Sequence, residues 1–142
     1  MLQKLNNQQV SEHWAEIKPA ILSSLPDNRL TPEAWEVSFL SSLERDTAAV
    51  WVELDLHEKI SAIVTTLVVW DQHAFGKHLL IYSAFAYIPN ALSQWEEISK
   101  VLEEYARDLG CVVIAAITAN KRVIEVARSL GWEISAYIQR RL

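Results

Sequence analysis

The chain has 142 residues, 51% of them hydrophobic and 22% charged, with three glycines and four prolines. That is enough to bury one core, with too little linker chemistry to join two domains. A net charge of −5 opposes non-specific nucleic-acid binding, which needs a basic face. The single cysteine, Cys111, excludes an intramolecular disulfide and a cysteine-based zinc site; between Gly110 and an apolar run it reads as a buried structural thiol. The N-terminus lacks the apolar core of a signal peptide, and no apolar run reaches the ~20 residues that span a bilayer. One soluble, cytoplasmic domain over residues 1–142, with no membrane contact, is therefore expected.

Trp14, Ile17, Ile21 and Leu25 fall at helical spacing and predict a helix over residues 9–25, kinked or divided by Pro19 and ended by Pro26-Asp27-Asn28. Thr31-Pro32-Glu33 opens a second helix, with Thr31 as N-cap and proline at the first helical position. Its buried stripe is Trp35, Phe39, Leu40 and Leu43. Residues 50–56 alternate: Val50, Val52, Leu54 and Leu56 share one face, and Trp51, Glu53 and Asp55 the other. This predicts a strand with one wet face. Residues 60–70 are nearly all apolar or threonine, as in a central strand covered on both sides, and residues 79–87 form a third such run.

After Pro89-Asn90 the period changes. Ile98, Val101, Leu102, Tyr105, Ala106 and Leu109 mark a long helix closed by Gly110 as its C′ residue. Residues 112–117 read as a buried parallel strand. Asn120 caps another helix, with Val123, Ile124, Ala127 and Leu130 inside and Gly131 at its end. Trp132, Ile134, Ala136 and Ile138 alternate with Glu133, Ser135, Tyr137 and Gln139 to predict a last strand. The order is helix, helix, antiparallel three-strand meander, helix, strand, helix, strand. The fold class is α/β, a mixed sheet with a parallel crossover and helices on both faces.

That order resembles the GNAT superfamily of N-acetyltransferases, minus its usual first strand. The specific part is residues 79–132: a strand ending Phe85-Ala86-Tyr87-Ile88-Pro89, a helix ending Ala106-Arg107-Asp108-Leu109-Gly110-Cys111, and Asn120 leading to Val126-Ala127-Arg128-Ser129-Leu130-Gly131-Trp132. The resemblance implies that acetyl-CoA inserts beside Phe85, Tyr87 and Ile88, with Asn120 near the pantetheine arm. It also implies a glycine-rich turn that presents N–H groups to the pyrophosphate. At the matching place stands Ser93-Gln94-Trp95-Glu96, and no glycine occurs between Lys77 and Gly110. Ser93 and Glu96 have the spacing of a capping box, which would satisfy those donors from within. The family's tyrosine proton donor falls on Ala127.

Two functions remain open on this reading. One is an acyl-CoA-dependent N-acetyltransferase in which Glu53 (or Asp55, on the face shared with His57) deprotonates an amine acceptor and Tyr82 replaces the missing acid. Tyr87 and Tyr137 are further phenols within the same reading. The other is a non-catalytic descendant of the fold, a binding or assembly module of the kind found in tailed phages and regulatory proteins. Trp14, Trp35, Trp70 and Trp132 are expected in the core, whereas an exposed Trp51 or Trp95 would anchor a protein partner or a second copy. No metal is expected, because Asp71, His73 and His78 lack a further convergent ligand. No serine-hydrolase elbow, Walker loop or His-Glu-x-x-His helix is present.

Overall fold

The computed structural model describes residues 1–25, 31–71, 76–89, 92–118, 120–135, 138 and 140. The Pro26-Asp27-Asn28 stop, His73, Asn90, Ala136, Tyr137 and Gln139 lie outside them. Five strands form one sheet in sequential order: β1 (Leu2–Lys4), β2 (Ala48–Leu54), β3 (Ile60–Asp71), β4 (Gly76–Ala86) and β5 (Val113–Ala116). The first three pairings are antiparallel and β4 with β5 is parallel, so the expected mixed sheet is observed. Among the described residues, no helix is long and apolar enough to cross a membrane.

One face is covered by α1 (Asn7–Glu12), α2 (Trp14–Ser24) and α3 (Pro32–Glu44). Ile17, Ile21, Trp35, Phe39 and Leu43 pack there on Val50, Val52 and Ile63. Stacked rings of Trp14, Trp35 and Phe39 hold α2 to α3. The helical stretch before Leu25 divides at His13, not at Pro19 as expected. Asn6 and Gln9 form a capping box that starts α1, and Pro19 sits inside α2, where its missing N–H forfeits only the bond to the carbonyl four residues back. Thr31 caps α3 by accepting from the Ala34 N–H at 3.2 Å.

The other face is covered by α4 (Leu92–Asp108), which buries Ile98, Leu102 and Ala106 on Leu2, Ala49, Trp51, Val64 and Leu79. At its end the Gly110 N–H donates to the Arg107 carbonyl and the Cys111 N–H to that of Ala106. These two bonds make a Schellman cap, and Gly110 takes the positive φ of 75° that it requires. Cys111 is half-buried against this core, and burial pushes its thiol up, as suits a structural cysteine.

Six expectations need correction. The first strand is present: Leu2–Lys4 pairs antiparallel with β2, three residues being too few to show an alternation. Trp51 is 5% exposed, because α4 covers the face read as wet; its indole N–H donates to Thr66 Oγ1 at 3.1 Å and its ring meets Tyr105 edge-on. It cannot anchor a partner. Trp70 is 66% exposed, since β3 runs past the helices that cover its middle. Residues 132–135 form no strand; their alternation meets no ladder partner among the described residues. β5, expected to be buried, is the sheet's edge among the described residues and is partly exposed. α5 (Lys121–Ser129) buries no residue.

Candidate functional site

The site begins with an irregularity in β4. Thr65 of β3 pairs with Ser83, but the next residue, Thr66, pairs with Ile81. Tyr82 is thus an extra residue, a β-bulge that bends the strand and resets its side-chain parity. Tyr82 and Ser83 consequently face the same side, toward α1–α3. The Tyr82 hydroxyl accepts from the Trp35 indole N–H at 3.0 Å, and its ring stacks on Phe39. The Ser83 and Thr65 hydroxyls share a buried hydrogen bond at 2.5 Å.

The bulge marks where β5 leaves. Pairing with β5 runs from His78↔Val113 to Ile81↔Ala116 and stops there, although β4 continues to Ala86. From Ser83 to Ala86 the side of β4 that faced β5 has no strand partner among the described residues. A backbone edge with unpaired N–H and C=O groups thus opens at the carboxyl ends of two parallel strands, where sheets of this kind bind ligands. The N-terminus of α4 and the start of α5 follow these strand ends directly.

Phe85 packs on the α1–α3 core and Tyr87 meets it edge-on at 4.9 Å. The Tyr87 phenol is hydrogen-bonded to Glu16 of α2; burial first, and then this carboxylate, push its pKa up. Ile88, beyond the end of β4, is exposed. Asn120 caps α5, its Oδ1 accepting from the N–H groups of Arg122 at 2.9 Å and Val123 at 3.5 Å, so only its amide NH2 is free for a ligand. Ala127, on α5, offers a methyl group where a proton donor was sought.

Glu53 lies on the α4 face, two residues after Trp51, and accepts from the Met1 ammonium at 2.8 Å. It borders a cleft of about 350 Å3 with Asp55, Ser61, Ile88, Pro89 and Gln94. Asp55 is occupied by its own turn: one carboxylate oxygen accepts from the N–H groups of His57 at 2.8 Å and Lys59 at 3.0 Å. Those bonds, with Lys59 the larger cause, hold its carboxyl below the usual range. Glu53 and Tyr82 are on opposite faces of the sheet, so the two proposed catalytic groups do not converge. His78 Nδ1 lies 3.9 Å from Asp71, and no group of three His, Cys, Asp or Glu that could hold a metal occurs among the described residues.

The expected capping box is not formed. Ser93 is already the second residue of α4, and Glu96 pairs with Lys100 at 3.4 Å, one turn onward, instead of reaching back. The first turn, Leu92 to Trp95, carries no acidic residue. Trp95 is half-buried against the α4 core. Sequence reasoning missed Glu16 as the partner of Tyr87; a bulge in this strand follows from the family resemblance, but its position at Tyr82 was not placed.

No protein-family model and no curated protein matches the sequence. Solved structures do match. A predicted acetyltransferase from Clostridium acetobutylicum with acetyl-CoA superposes with a TM-score of 0.73 at 12% identity, over 99% of this chain and 95% of that one. Glucosamine-6-phosphate N-acetyltransferase from Arabidopsis thaliana gives 0.68 at 12% identity, over 100% and 97%. The enzyme AAC(6′)-Iy, in complex with the bisubstrate analogue CoA-S-monomethyl-acetylneamine, gives 0.69 at 14% identity, over 100% and 98%.

Proposed function

The chain has the GNAT acetyltransferase fold, and from that premise we propose that it is an acyl-CoA N-acyltransferase-like protein in which the cofactor slot persists and catalysis is weakened or lost. The observation that carries this reading is the unpaired stretch of β4 from Ser83 to Ala86, beside the bulge at Tyr82. A pantetheine arm is an extended chain with amide groups, and such an edge can pair with it as a strand would. The likeness to proteins solved with acetyl-CoA and with a coenzyme A analogue supports the same assignment.

Bound acyl-CoA would supply an activated thioester. Residues of this chain would do the rest: the backbone of residues 83–88 would hold the arm, the free amide NH2 of Asn120 would donate to it, and the first turn of α4 would face the phosphates. Glu53 is the carboxylate available to take a proton from an amine in the adjoining cleft. Its ion pair with Met1 must open first. The thiolate needs a proton, and Tyr87 or Tyr82 is the phenol near β4, each engaged elsewhere. Both steps are therefore expected to be slow.

Calorimetric titration of acetyl-CoA and CoA tests the reading. Binding at sub-millimolar ligand is expected; no heat and no thermal stabilisation at millimolar ligand would overturn it. A second reading, a non-catalytic assembly module, is favoured by the free edge of β5, with Trp95 as a further contact. We place the chain in the cytoplasm under either reading.

A further inference from the structure

The cleft of about 350 Å3 between the β2–β3 turn and the start of α4 has two kinds of wall. On the polar side, most groups are answered within the chain. The Ser61 hydroxyl donates to the Glu53 carbonyl at 3.1 Å. The Lys59 and His57 N–H groups hold the Asp55 carboxyl low, and the charges of those two residues add to this. Gln94 contributes a neutral amide from α4. Glu53 differs from these. Its side chain is 13% exposed, whereas that of Met1, whose ammonium it accepts from at 2.8 Å, is 86% exposed. A primary ammonium thus fits this carboxylate from the side that solvent reaches. The other wall is apolar: Leu56 comes from the turn, and Ile88 and Pro89 from the end of β4. Leu56 is 100% exposed and Ile88 70%, so this wall has apolar area to cover. Among the described residues no lysine or arginine lines the cleft, and Asn90 and Ala91, next in the chain after Pro89, are uncharged.

We propose that this cleft takes a primary amine with a single positive charge and an apolar body, a short alkylamine being the simplest case. The ammonium meets the Glu53 carboxylate, and the body covers Leu56, Ile88 and Pro89. A phosphorylated amine is selected against, because its anion would lie near Glu53 and Asp55 with no cation in the described lining. A diamine of the same length is selected against as well. Its second ammonium would lose water against an apolar wall, and Asp55 is already answered by its own turn. The amine's role as acyl acceptor rests on the acyltransferase reading above; its binding rests on the cleft alone.

Amide NMR on the isotope-labelled full chain, with no coenzyme added, tests this. n-Hexylamine is expected to shift the amides of Glu53, Ser61 and Gln94 saturably, with a Kd of about 1 mM. Hexamethylenediamine, the same carbon chain with an ammonium at each end, should bind at least about fivefold more weakly. Glucosamine-6-phosphate should bind at least about tenfold more weakly. Glu53→Gln is expected to weaken hexylamine at least about tenfold, and Leu56→Ser about threefold. Leu56 is wholly exposed, so its variant keeps the fold, and circular dichroism checks both. Hexylamine that produces no saturable shift at these residues up to about 20 mM overturns the proposal. So does equal binding of hexylamine to Glu53→Gln, or equal binding of the diamine or the phosphate to the wild type. Calorimetry with acetyl-CoA separates this proposal from its premise. Amine binding without acetyl-CoA binding supports the ligand class and sinks the acyltransferase reading, whereas acetyl-CoA binding without amine binding sinks the ligand class alone.

Discussion

The middle of the sheet and its β5 end are built from similar apolar runs, yet they end in opposite environments. Residues 62–66 of β3 are all buried, because α1–α3 cover one face and α4 the other. β5 is as apolar, but it sits at the edge beside a helix that buries nothing. Apolar sequence alone therefore reports a demand for cover; it does not say which element supplies it. The central sheet meets that demand within the chain, whereas among the described residues the C-terminal end does not.

The comparison predicts a gradient of mutational cost. Trp35→Ala, in the α1–α3 core, should cost about 3–5 kcal/mol in urea unfolding, since it deletes a buried ring and strands the Tyr82 hydroxyl. Leu102→Ala on α4 should cost about 2–5 kcal/mol, against under ~1 kcal/mol for Ile124→Ala on α5, where little burial is lost. Equal costs at the last two positions would break the contrast. A finer probe uses two glycines with the same cap. Gly110 and Gly131 both have positive φ and both close Schellman caps, and an added Cβ meets nothing at either. Gly110→Ala should lower global stability by about 1 kcal/mol. Gly131→Ala should leave the midpoint of the central sheet unmoved and instead speed amide exchange in α5, as expected of a unit that opens by itself.

The smallest effect is electrostatic. Asp55 has its carboxyl lowered by the Lys59 and His57 N–H groups, so the stability it contributes is present above the unfolded pKa of about 3.9 and is lost as pH falls through the lower folded value. Asp55→Asn should flatten that part of the acid-unfolding curve and leave behaviour at neutral pH changed only by its turn.

Much of the fold was legible because its signals are local. Thr31-Pro32-Glu33 starts α3 where a cap, a fixed φ and an acidic first turn coincide. Gly110 and Gly131 end α4 and α5, since only glycine takes positive φ freely there. The candidate site was half legible. Asn120 and the strand leading to Phe85 were found, but the position of the bulge at Tyr82, which turns Ser83 to the same side as Tyr82, was not. The capping box failed although Ser93 and Glu96 have the right spacing, because α4 begins at Leu92, two residues too early for Ser93 to cap it, and Lys100 takes the Glu96 carboxylate.

By itself the sequence determined the start of α3, the glycine-closed ends of α4 and α5, and the order of elements from α3 to α5, signals carried by residues within a few positions of one another. Tertiary structure decided which strand faces are covered. Trp51 went inside and Trp70 outside because α4 spans one position and not the other, and the Glu53 cleft was parted from Tyr82 by the sheet between them. The turn at Ser93-Gln94-Trp95-Glu96 belongs to both accounts: its residues were plain from the start, but only the tertiary structure placed Ser93 inside α4 and turned Glu96 to Lys100.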